Sequence, residues 1–124
     1  MIKKIKYLFF AMMIFSSSNT FANETIFING FEDVPQMPKL NQDENSGIAF
    51  DTEFGRIVET YLESENGITF KNVADYYNES LPELGWKEVT QTKNKLIFSR
   101  EGEVLEISLM ENNKPILIKV SIHD

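Results

Sequence analysis

The stretch ITFKNVADYYNESLPELGW, residues 68–86, decides how the chain is read, because the spacing of its apolar residues changes there. Phe70, Val73, Tyr77, Leu81 and Leu84 succeed one another at intervals of 3, 4, 4 and 3 residues. That spacing lines up a single stripe along a helix. Thr69 stands where a hydroxyl can take up a free amide of the first turn. Pro82 lacks an amide proton and disfavours a helical residue before it, so the helix should break near Leu81. Gly85 can adopt the left-handed turn that releases the chain into Trp86.

On both sides of this helix the period falls to two. GIAFDT (47–52) and RIVETYLESE (56–65), joined by the turn EFG, read as a hairpin. In its second strand Val58, Thr60 and Leu62 point one way, and Ile57, Glu59, Tyr61 and Glu63 the other. After the helix come WKEVT (86–90), KLIFSR (95–100), VLEISLM (104–110) and PILIKVSI (115–122), separated by short turn-rich links. Short links favour antiparallel neighbours. The expected fold is α+β: a β-hairpin, one helix, then a four-stranded antiparallel meander, with the helix packed on one face of the sheet. Pro115 cannot donate to a ladder, which suggests that the last strand lies at an edge.

Before the hairpin, Phe31, Val34, Met37 and Leu40 fall every third residue, and Pro35 and Pro38 share that interval. An extended polyproline-like rod has three residues per turn and would align this apolar set on one side. Such an arm either docks across the domain's own open sheet face or is offered to a partner's groove or sheet edge. The polar run NQDENSG (41–47) reads as the connection after it. Residues 23–46 are therefore assigned to arm and linker, and residues 47–124 to one α+β domain.

The chain opens with Lys3, Lys4 and Lys6, then the apolar run Leu8 to Phe15, then a small, polar stretch ending at Ala22. This order marks residues 1–22 as a cleaved secretory signal peptide. The apolar run is shorter than the roughly 20 residues needed to cross a bilayer. The expected location is outside the cytoplasm, in the periplasm, and the mature form should not span a membrane. The 124 residues hold 12 Lys and Arg against 19 Asp and Glu. Loss of the three signal lysines makes the balance more acidic still, which disfavours nucleic acid as a partner. The chain has no cysteine, which removes thiolate chemistry and Cys-based zinc sites.

With GFEDVPQMP (30–38) ahead of them, the blocks FDTEFGRIVE (50–59), YYNESLPELGW (76–86) and FSREGEVLEI (98–107) resemble a family of small exported alphaproteobacterial proteins of unknown function. The likeness runs from Gly30 to Ile122. It implies an exported α+β domain and carries no catalytic residues.

Candidate chemistry is sparse. The single histidine, His123, lacks a nucleophile motif and reads as a solvated tail. The acidic run Asp43–Asn45 fails the calcium-loop pattern in each register, with no glycine sixth and no glutamate twelfth. Asp51, Glu53, Glu59 and Glu63 surround the hairpin and could come within reach as an acid–base pair, though among 19 acidic residues chance proximity is expected. Tyr77 and Trp86 are candidates to line a pocket between helix and sheet. Phe31, Val34, Met37, Leu40 and Tyr76 are candidate partner contacts. No cofactor or metal site is expected. The reading these features support is a non-enzymatic interaction module contacting another envelope protein. A small-molecule carrier is the alternative, and a carboxylate hydrolase the third.

Overall fold

The computed structural model describes residues 25–124 apart from Phe54 and the Glu44 side chain; the expected signal segment 1–22 lies outside the described residues. Helix α1 runs Phe70–Ser80. Thr69 caps it as expected: the Asn72 amide donates to Thr69 Oγ1 at 3.2 Å, and the Thr69 amide donates to Asn72 Oδ1 at 2.9 Å. This reciprocal pair satisfies two amides that the first turn would leave unpaired. At the other end Pro82–Leu84 form a single 3-10 turn, and Gly85, at φ 93°, reverses the chain. A side chain at Gly85 would be strained there, and its Cβ would lie 3.3 Å from Arg100 Cδ.

The fold is α+β, with one α-helix and one antiparallel sheet among the described residues. The strands are β1 (Leu40–Thr52), β2 (Gly55–Ser64), β3 (Lys87–Thr92), β4 (Lys95–Arg100), β5 (Glu103–Glu111) and β6 (Leu117–His123). Their order is β1-β2-β6-β5-β4-β3, so hairpin and later strands make one six-stranded sheet. Register places Val58, Ile122, Leu105 and Phe98 in one row across four strands. The next row is Thr60, Val120, Ile107 and Leu96, all buried. These rows share one buried cluster with Phe70, Val73, Tyr77 and Leu81 of the helical segment.

Three expectations change. Strand β6 lies in the sheet interior between β2 and β5, not at an edge. Pro115 precedes the first ladder residue, so its missing amide removes no sheet bond. The polar run 41–47, expected as a connection, belongs to β1, where register with β2 shifts between Asp43 and Ile48. A bulge of this kind absorbs residues that cannot keep strict alternation. Asn45 and Ser46 fill it by bonding Asp43, through its Oδ1 at 3.0 Å and its carbonyl at 2.6 Å. His123, expected in a solvated tail, is the last residue of β6, opposite Ile57 and Val104.

The arm docks, though not as an extended rod. The Phe31 amide donates to the Ile28 carbonyl at 2.9 Å, Val34 to Phe31 at 3.3 Å, and Leu40 to Met37 at 3.1 Å. Each bond spans three residues, and a polyproline helix has no such bonds. Successive turns explain the threefold spacing, since each turns the next apolar residue inward. Ile28, Phe31, Val34, Met37 and Leu40 all belong to the buried cluster.

Candidate functional site

Four of the five candidate partner contacts are therefore core residues: Phe31, Val34, Met37 and Leu40 are at most 9% exposed. Only Tyr76 keeps a half-exposed ring, set edge-on against Tyr77 with centroids 4.9 Å apart. It borders a shallow surface groove with Ile26, Met37 and Lys39.

Of the candidate pocket residues, Tyr77 fills the space it was expected to line, while Trp86 is buried but borders a surface trough beside Phe31 and Arg100. Tyr77 is fully buried, and its hydroxyl donates to the Pro35 carbonyl at 2.7 Å. Trp86 is 2% exposed and donates from Nε1 to the Asp33 carbonyl at 3.0 Å. Both aromatics thus satisfy carbonyls of the arm that would otherwise lack partners. Burial pushes the Tyr77 hydroxyl far above its ordinary pKa, an increase only partly offset by the Met37 backbone. Arg100 completes this joint. Its guanidinium sits 4.5 Å from the Trp86 ring centre, donates to the Leu84 carbonyl at 3.0 Å and pairs with Asp33 at 3.0 Å.

The hairpin carboxylates are spread along both strands and the turn. Glu59 and Glu63 lie four residues apart on β2, about 13 Å by strand rise. Asp51 stands opposite Arg56, and Glu53 lies exposed in the turn. No group of His, Asp and Glu side chains suited to a metal ion occurs among the described residues.

What the structure does present is an open sheet edge. Strand β1 has 13 residues and, among the described residues, pairs only with β2. Antiparallel ladders alternate between pairs that exchange backbone bonds and pairs that do not. The Arg56 amide donates to Asp124 Oδ2 at 3.4 Å, away from β1, which makes Asp51–Arg56 a pair of the second kind. Two residues along, Ala49–Val58 is the same. Ala49 and Asp51 consequently aim their amides and carbonyls outward, past the sheet. Their neighbours Ile48 and Phe50 are 49% and 44% exposed and share the face opposite the core.

On the core side of this edge the arm stops short of the hairpin tip. A trough of about 370 Å³ remains, floored by Phe31, Ala49, Val58 and Ile122. Four carboxylates, Glu32, Asp33, Glu103 and Asp124, line it together with two cations, Arg56 and Arg100. Sequence reasoning identifies GIAFDT as a strand but not as the outer one, because alternation says nothing about a strand's place in the sheet.

No family model, curated protein or solved structure matches the chain.

Proposed function

We propose that the protein is an exported, non-enzymatic interaction module of the cell envelope that accepts a partner strand along the outer side of β1. The observation that carries this reading is the pairing of outward backbone groups at Ala49 and Asp51 with exposed Ile48 and Phe50 beside them. An edge of this kind is a template for strand addition, with backbone bonds supplying affinity and alternate side chains specificity. In this reading strands β3 to β6 act as an antiparallel meander, and the helix and docked arm cover one face of it. The result is a rigid platform for the edge. The leader-like residues 1–22 and the resemblance to small exported proteins support the location.

The carrier reading loses support because Tyr77 and Trp86 are buried and bonded to arm carbonyls, which leaves only the outer trough beside Trp86. The test is in-cell photocrosslinking from Phe50, with Val89 on β3 as control. A discrete adduct from position 50 alone, lost in Ala49→Pro, supports edge docking. Equal adducts from both positions argue against it. A mature N-terminus at Asn23 in the periplasmic fraction would establish export; retention of residues 1–22 in the cytoplasm would refute it.

A further inference from the structure

We infer that the segment received by β1 is an extended peptide alternating apolar with basic residues, whose basic side chains enter the trough between the arm and the hairpin. The inference rests on the open-edge reading and adds the chemistry of the partner.

Two sides of the edge make different demands. A partner residue opposite Ile48 or Phe50 points toward the face away from the core, beside exposed apolar side chains. An apolar residue is suited to that position. A residue opposite Ala49 or Asp51 points to the other side, over the trough. There the floor is apolar and the carboxylates outnumber the cations four to two, an arrangement that suits Lys or Arg, with a methylene stem and a charged tip. The stem would lie over Phe31 and Val58, and the tip would reach Glu32 and Asp124.

The two cations that line the trough, Arg56 and Arg100, make their ion pairs with other carboxylates, although the Arg56 amide donates to Asp124 Oδ2. Arg100 is held by Asp33 at 3.0 Å and Glu103 at 3.8 Å. The Arg56 guanidinium lies 4.0 Å from Asp51 and is largely exposed. Neither Glu32 nor Asp124 has a side-chain cation partner among the described residues. Residues 40–55 contain four acidic residues and no Lys or Arg, and the chain's net charge is −7. A second copy presenting the same strand would bring like charges together, which disfavours β1–β1 pairing. A basic strand gains from the same field.

The probes are fluorescein-labelled peptides alternating Val with Lys, Val with Glu, and Val with Ser. They are titrated by anisotropy against the full chain, expressed with its own N-terminus. The Val–Lys peptide should bind most tightly and weaken as salt is raised from about 50 to about 500 mM, because exposed charges are screened. Ala49→Pro removes an outward amide without touching a β1–β2 bond and should weaken binding about tenfold, given the edge bonds lost. Glu32→Lys should reverse the preference toward Val–Glu. Melting curves check that both variants fold.

Equal binding of all three peptides, abolished by Ala49→Pro, would keep the edge and overturn the basic partner. Val–Lys binding unaffected by Ala49→Pro would overturn strand addition and leave a surface charge effect. Failure of every peptide to bind would overturn the inference, as would a dimer in sedimentation that Ala49→Pro dissolves.

Discussion

The two edges of the sheet are built on opposite plans. Strand β3 has six residues, a register shift at Val89 and a lysine within it. Its Gln91 exchanges side-chain amide bonds with Asn78 of the helix. A short strand, a bulge and lysine are the means by which sheet proteins discourage edge pairing. Strand β1 is more than twice as long, and its second half carries apolar residues with no lysine and no proline. Both strands contain a bulge, so irregularity alone does not separate them. The difference lies beyond the bulge: Ile48 to Thr52 resume a clean ladder, whereas β3 ends within a few residues. One edge is guarded and the other left available within the same sheet.

The largest expected effect concerns the arm, which supports the available edge from beneath. Replacing Phe31, Met37 and Leu40 together by Ser should lose roughly 5–9 kcal/mol, at about 1.5–3 for each buried side chain. An unchanged melting temperature would show that the arm is dispensable and leave β1 without its floor. Next, Tyr77→Phe should lose about 1–2 kcal/mol in urea unfolding, because the Pro35 carbonyl is left buried and unpaired. The raised Tyr77 pKa has a second consequence. Its stabilisation is complete below the ordinary tyrosine pKa of about 10 and is lost as pH rises beyond it. Tyr77→Phe should be spared that part of the alkaline loss; identical alkaline curves would refute this.

Smaller effects separate the edges themselves. Ala49→Pro and Val89→Lys should each change stability by less than about 1 kcal/mol, as exposed edge positions usually do. Only the first should abolish capture at Phe50. If Val89→Lys abolished it too, the contrast between the edges would be wrong. The smallest effect lies between them, at Glu106. Burial would raise its carboxyl, but the Ser108 hydroxyl, Lys95 and Lys119 outweigh that and hold it below the usual range. Its contribution is therefore present at neutral pH and fades as acid protonates it. Glu106→Gln should lose less than about 1 kcal/mol at pH 7, the scale of a partly exposed pair at 3.2 Å. The difference should vanish in acid, measured by urea unfolding at both pH values.

Much of the fold is legible in local spacing. The stripe Phe70, Val73, Tyr77 and Leu81 is buried, and Thr69 caps the helix it begins. The alternation of Leu105 with Ile107, and of Ile118 with Val120, marks their buried face. Strand order is not legible, because β6 pairs with β2 across more than fifty residues, a choice made by shared burial and not by local chemistry. Pro115 misleads for the same reason: an edge is a property of the sheet. The polar run 41–47 reads as loop because composition cannot show a partner such as Glu63 or Leu62 opposite it. The arm's threefold spacing is visible, but turns and a polyproline rod share that period. Of the candidate contacts only Tyr76 stays at the surface, and the outward face of β1 emerges only once its neighbours are known.

The position of β6 also governs the timing of assembly. The hairpin β1–β2 and the strands β3–β5 touch within the sheet only through β6, which comes last of the six in the chain. Until Leu117–His123 are available, the two pieces have no shared ladder, and the rows that bury Leu62 and Ile107 lack their middle member. The six-stranded sheet is therefore completed only when β6 joins its two pieces.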